Sequence, residues 1–458
     1  MIQVSLVTLT QSNPSAVISQ TAKTCYQNVM PELGSLINIK ERLWETGHHT
    51  TLQPFHLTFH IEGIAVGDIT LGLHLASPFY VSGQRSGRFC GAMFSAPDFN
   101  LIEGYMDAYW PEPPKSIKKE AMDYIKYALG VYGANIDSAT KRAAEFIKEE
   151  RPYASAKYIE QNAPKIAQEQ LRVIIPVIFP TAVNFTVNLS ALAALYRVAW
   201  SPAMKDVTGK MASIVIGKYP ELAYLFERYD GSDASDIVTA LGPISAKEGI
   251  LKKPEVELLA IDDGFVAPDH KMINPLDILR FSPSMMENNV EGIKTLIKIS
   301  LATMGQDQRH RTIGRGFPSF TGEFYLPPVP DSLGIETVAE KVRGKWLDIC
   351  GKLNDSFSCV LAPYGAMVRY KKFASYNAAI HEGAKRLCWC AQEEIYHAFQ
   401  RLRSQIVKRK SEEFPFLKTT SPNCVLTGKC GEGVRYCGRN LNWKYDRFDG
   451  DPFPERRV

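Results

Sequence analysis

The chain is short of everything that marks a membrane or exported protein. Met1–Thr10 carries no basic region ahead of its apolar residues, so no targeting segment is expected. The most apolar stretches, Val173–Phe179 and Leu296–Met304, fall far below the roughly 20 residues a helix needs to cross a bilayer. Charge of one sign is also scarce. A net charge of +4 gives no argument for a polymeric nucleic acid partner, and a basic face would have to arise as a local cluster. No G-x-G-x-x-G fingerprint is visible, which argues against a Rossmann-type dinucleotide site. Nine cysteines without a secretory signal point to a reducing, cytoplasmic setting with free thiols or a metal site.

What is present is ordinary globular composition: 458 residues, 45% hydrophobic and 22% charged, enough for two or three domains. Val4–Leu9 reads as a strand, and Asn13-Pro14-Ser15 opens a helix through Tyr26. The theme returns at Pro254–Ala260, again a strand. Between them, residues 229–253 are rich in Gly, Ser, Asp and Lys and form the expected linker. The reading therefore divides the chain into domains at 1–228 and 254–415, followed by a cysteine-containing tail at 416–458.

Phe55 to Glu62 alternates: Phe55, Leu57, Phe59 and Ile61 face one way, and His56, Thr58, His60 and Glu62 the other. A solvated strand face explains this better than a zinc site on His56 and His60, for which no third ligand is evident. Leu189–Trp200 and Ile293–Met304 read as apolar helices. Leu387, Ala391, Ile395, Ala398, Leu402 and Ile406 mark one stripe of a long amphipathic helix, with Arg386 at its N-terminal end. The cations of Arg401–Lys410 suit that helix's C-terminal end. Strands and helices without regular alternation favour an α+β fold.

Two incomplete sequence motifs stand out, one in each half. The second half has Arg309-His310-Arg311 with Gln306 three residues ahead; the first has Gln84-Arg85-Ser86-Gly87-Arg88-Phe89. Together they resemble the R-H-R-x-x-S-x-N/S-E/Q-x-S-x-R-Y signature of the flavin-dependent thymidylate synthases. Ala76, Ser77 and Pro78 stand where the first half would carry Arg-His-Arg, and Thr321 stands where the second would carry its last arginine. The division continues downstream. The first half keeps Arg172, Pro176 and Asn188, against Cys359, Pro363 and Ser375. The second keeps Arg386 with Ala391-Gln392-Glu393-Glu394-Ile395, against Ala199. Cys25-Tyr26 and Gly47-His48-His49-Thr50 also resemble segments of that family.

The resemblance implies two tandem copies of the synthase-like domain, each a mixed or antiparallel sheet with long helices, sharing one ligand set. It implies substrate binding by Gln84, Ser86, Arg88, Arg172, Gln306 and Arg386, with Arg386 also catalytic. It implies FAD binding by His48, Thr50, Asn188, Arg309, His310 and Arg311. NADPH would reduce the flavin, and methylenetetrahydrofolate would give one carbon to C5 of dUMP, forming dTMP without a cysteine nucleophile. A guanidinium suits this chemistry because it stays charged and presents a planar fork of donors to developing anionic oxygen. Divergence leaves two alternatives open: a relative making a hydroxymethylated product or using another pyrimidine nucleotide, and a non-catalytic flavin- or nucleotide-binding protein. A fused pair would reach the family's tetrameric arrangement as a homodimer.

In the tail, Cys424, Cys430 and Cys437 alternate with glycines. Gly-rich turns between thiols suit zinc or an iron–sulfur cluster, though the spacing fits no standard zinc pattern, and free cysteines in a turn-rich tail explain it equally well.

Overall fold

The computed structural model describes residues 2–9, 13–75, 79–88, 90–227, 249–269, 276–353 and 356–458. Two sheets with interleaved helices organise the chain. The first is built from β1 (Gln3–Leu9), β2 (His56–Ala65), β3 (Tyr80–Gln84) and β4 (Pro180–Asn188). Its order is β1-β2-β4-β3, every pair antiparallel. The alternation expected around β2 is the observed one: Phe55, Leu57, Phe59 and Ile61 are all buried. Each such side chain contributes about 1.5–3 kcal/mol of apolar burial. Helix α1 (Pro14–Thr24) follows β1 and is N-capped by Asn13, whose side chain accepts from Ala16 N–H at 2.9 Å.

Helices α2 (Phe99–Tyr109), α3 (Lys115–Glu150) and α4 (Ala156–Leu171) connect β3 to β4. The buried stripe of α3 recurs at helical spacing through Ala121, Tyr124, Ile125, Ala128, Tyr132, Ala139, Ala143 and Ile147. After β4 come α5 (Leu189–Val198) and α6 (Pro202–Lys218).

The second sheet contains β5 (Ile250–Leu251), β6 (Glu255–Ile261), β7 (Gly292–Ser300), β8 (Gly314–Arg315), β9 (Ser319–Tyr325) and β10 (Ala366–Ser375). Its order is β5-β9-β10-β7-β6, with β8 also on β10. The run β6-β7-β10-β9 has the antiparallel order of β1-β2-β4-β3. The edge pairing β5–β9 is parallel, so this sheet is mixed. Helix α7 (Leu301–Asp307) leaves β7, α8 (Glu336–Lys352) lies between β9 and β10, and α9 (Tyr376–Arg386) and α10 (Glu393–Lys410) follow β10. The corresponding caps agree: Asn188 accepts from Ala191 N–H, and Ser375 from Ala378 N–H.

Three expectations need correction. Ile293–Met304 is not a helix: β7 occupies most of it, and only its end enters α7. Ile293, Thr295, Ile297 and Ile299 are buried at a period of two, which the overall apolarity concealed. The long stripe from Leu387 to Ile406 is broken, because α9 ends at Arg386 and α10 begins at Glu393, leaving Leu387 and Ala391 in the intervening turn. Arg386 therefore closes one helix rather than opening the next. Of the expected linker, residues 229–248 lie outside the described residues, while Ile250 and Leu251 join the second sheet.

The two halves meet along a short antiparallel junction. Pro176 bridges Pro363, Tyr364 N–H donates to Ile175 O at 2.8 Å, and Val177 N–H donates to Ala362 O at 2.9 Å. One continuous apolar core runs through this junction. The tail folds back over it: Tyr153 N–H donates to Gly438 O at 2.9 Å, and Arg457 pairs with Glu149 and Glu150 of α3. Gly438 has φ +74°, and a Cβ there would stand 2.3 Å from the Ala154 backbone, so only glycine fits. Among the described residues no helix is long and apolar enough to cross a membrane.

Candidate active site

Beside the junction lies a cleft of about 270 Å³. From the first half it is lined by Gln84 at the end of β3, by Ser86 and Arg88 just after it, and by Arg172 at the end of α4; the second half adds Gln306 and Arg309 near α7, Tyr364 of the junction, and Arg386 of α9. Gly87 sits tightly here, since a Cβ would meet Arg172 Nη1 at 3.1 Å and the Tyr364 hydroxyl at 3.4 Å.

The electrostatics are one-sided. Arg172 and Arg386 are buried, and neither is ion-paired among the described residues. Arg172 lies 4.8 Å over the Tyr364 ring and donates to Ala302 O at 3.5 Å, but its Nε has no partner. Arg386 donates to Gln306 O, and its Nε is likewise unsatisfied. Arg88 is held by the buried carboxylate of Glu169. Burial lowers all three guanidinium pKa values; for Arg88, Arg172 and Arg386 repel it further, down to about 9. Buried cations that repel one another and keep unused N–H groups constitute a site for an anion.

The second half braces this cleft from below. Ser300 N–H donates to Glu394 at 2.7 Å, and the Ser300 and Thr303 hydroxyls donate to the same carboxylate. Glu394 thus ties the start of α10 to the N-terminus of α7, and burial raises its carboxyl to about 7. Gln306 donates to Gln392, so two of the Ala-Gln-x-Glu-Ile side chains anchor α7. Behind Arg386, Asp307 accepts from Arg315 and Lys372, and Lys372 also holds Glu382. Burial alone would raise the Asp307 carboxyl, but Arg315 and Lys372 hold it well below the usual range.

The remaining expected residues scatter. Arg309 lines the cleft, its pKa lowered by burial and by Arg311. Arg311 crosses to the first half, donating to Ser82 O and Oγ at 3.1 Å and lying 4.9 Å from the Tyr80 ring. His310 is buried beside His381 at 5.1 Å between ring centroids, and burial keeps it neutral. Asn188 uses its carbonyl oxygen to cap α5. His48 and Thr50 are exposed on a short turn and do not line the cleft. Ala76, Ser77, Pro78 and Phe89 lie outside the described residues.

Sequence reasoning missed Tyr364 and His74. Counting from the ends of β2 and β7, His74 occupies the place of Arg309. Burial, then Arg309 and Arg311, lower its pKa to about 3, and Ser82 lies 3.0 Å from its Nε2. That count differs by two from the gap-free one that put Ala76 opposite Arg309.

The expected metal trio is not assembled. Among the described residues no group of three His, Cys, Asp or Glu side chains converges to hold an ion. Cys424 faces the Arg439 guanidinium, and Cys430 accepts from Glu432 N–H at 3.4 Å.

The chain is thus an α+β protein in which arginines from both halves line one cleft between two sheets. Residues 5–221 match the family model described as thymidylate synthase complementing protein, the family that the split motif resembles. Two solved structures are similar. One is thymidylate synthase X (ThyX) from Helicobacter pylori with FAD and dUMP, at 17% identity and TM-score 0.32, covering 50% of this chain and 98% of that one. The other is flavin-dependent thymidylate synthase ThyX from the same organism complexed with FAD and dUMP, at 16% identity and TM-score 0.32, covering 49% and 98%. No curated protein matches the chain.

Proposed function

We propose that the chain is a tandem pair of synthase-like domains that transfers a one-carbon unit to C5 of a pyrimidine deoxynucleotide, dUMP, with reduced flavin as hydride source. The family match over residues 5–221 supports the class of reaction. The observation that carries the reading is the convergence of Arg88 and Arg172 from one half with Arg386 from the other in a single cleft. Arg88, Arg172 and Ser86 hold the phosphate, and Arg386 faces the pyrimidine oxygens, where it stabilises negative charge as C5 becomes nucleophilic. Gln306, fixed by Gln392, orients the base.

The residues present fit a flavin nucleotide. Arg309 has no carboxylate partner among the described residues, and Arg311 keeps a buried, unsatisfied Nε. When bound, the flavin supplies the hydride that turns the transferred methylene into methyl. The chain's part is to hold that nucleotide between Arg309, Arg311 and the edge strand β3. NADPH as reductant, methylenetetrahydrofolate as carbon donor, a homodimer as the assembly and the cytoplasm as the setting complete the proposal.

The test is anaerobic. The purified protein is supplied with FAD, reduced with NADPH, and given dUMP and methylenetetrahydrofolate, with products read by mass spectrometry. Flavin reoxidation with dTMP is expected. A hydroxymethyl product would replace the reaction with the divergent alternative, and failure to bind flavin would remove the proposal.

A further inference from the structure

Arg88 is a wall of two cavities. Behind the arginine cleft lies a second cavity of about 690 Å³, within the range of roughly 300–1,000 Å³ that holds a small-molecule ligand. Its lining is strongly basic, with six Lys or Arg residues against three Glu. Among the described residues Arg151, Lys157, Lys165 and Arg456 have no ion-pair partner. Arg151 and Arg456 are each 3% exposed and keep an unsatisfied Nε. Aromatic rings interleave with these cations: the Arg151 guanidinium lies 5.8 Å from both the Tyr158 and Trp389 rings. The net charge of the chain hid this local cluster.

Cations alternating with aromatic faces suit phosphate plus a stacked base. We infer that the second cavity takes a 5′ extension of the substrate nucleotide: the phosphate held at Arg88 is esterified to a preceding nucleotide, whose base stacks on the half-buried Tyr158 and whose own phosphate meets Lys157 and Lys165. The inference rests on the proposed nucleotide site and assigns its substrate a dinucleotide-like form.

The full-length protein is titrated calorimetrically with dUMP, dUDP, d(pApU) and d(pUpA). The last two share charge and composition, but only d(pApU) carries its extension on the 5′ side of uridine. It is expected to bind about ten-fold more tightly than dUMP, the value of one base–aromatic stack. The isomer d(pUpA) should show no such gain, and dUDP only part of it. The double variant Lys157→Ala/Lys165→Ala, on exposed side chains, should reduce the d(pApU) gain several-fold and leave dUMP affinity unchanged. Equal affinity for d(pApU) and dUMP, an equal gain for d(pUpA), or a dUDP gain as large as that of d(pApU) would overturn the inference while leaving the nucleotide site standing. Failure of dUMP itself to bind would instead remove the reading on which it rests.

Discussion

The junction between the halves makes two similar backbone contacts and surrounds them with opposite chemistry. On one side Ala302 N–H donates to Tyr364 O at 2.9 Å, and Arg172, Arg386 and Gln306 gather around it. On the other, Gly67 N–H donates to Val177 O at 2.8 Å. There a Cβ on Gly67 would meet Val177 at 2.9 Å and Val360 at 3.2 Å, so the space is filled by apolar groups. Cys359 takes the position of Arg172, four residues ahead of the bridging proline. Backbone pairing fixes where a cleft is placed; the side chains decide whether it is a site or a core. A chain with two such places can keep one for chemistry and let the other close for stability.

That contrast can be broken most severely at its charged side. Arg386→Ala is expected to lower turnover about 10³-fold, the scale for removing a positioned donor to developing negative charge. Arg88→Ala should lower nucleotide affinity and turnover together. An equimolar mixture of the two variants should recover no activity, because both residues stand in one cleft of one chain; steady-state assays of the mixture check this.

The apolar side is tested by giving it charge. Cys359→Arg should not create a second site. It should destabilise the fold by about 3–5 kcal/mol through a buried, unpaired guanidinium, read by denaturant titration. At Tyr364, which only the structure revealed, Tyr364→Ala should weaken nucleotide binding about ten-fold through loss of the ring under Arg172, whereas Tyr364→Phe should keep most of it.

The smallest effect is one of pH. Burial raises the Glu394 carboxyl from 4.5 to about 7 in the folded chain. The folded state therefore holds a proton that the unfolded state has released. This contribution to stability is fully present below about pH 4.5 and is lost as pH rises toward about 7. Glu394→Gln should flatten that fall relative to wild type when unfolding is measured across the same interval.

Much of the cleft was legible because its polar residues sit in short local motifs. Gln84, Ser86 and Arg88 lie within five residues at the end of β3, and Gln306 and Arg309 share one helical end. What could not be read depends on contacts across the sheets. Tyr364 matters only because the junction brings it under Arg172, and the Asp307–Lys372–Glu382 network joins three elements. Ile293–Met304 looked helical because Leu296, on the less buried face, joins Ile293, Ile297 and Ile299 in an apolar run that blurs the period of two. The break at Leu387–Gln392 carried no glycine or proline to mark it, so the apolar stripe ran on through it.

The most direct test of one open and one closed place is the stoichiometry of nucleotide binding, measured by calorimetry with dUMP on the full-length protein. One dUMP per chain, abolished equally by Arg172→Ala in the first half and Arg386→Ala in the second, is the predicted result. Two per chain, or loss through only one of these substitutions, would contradict it.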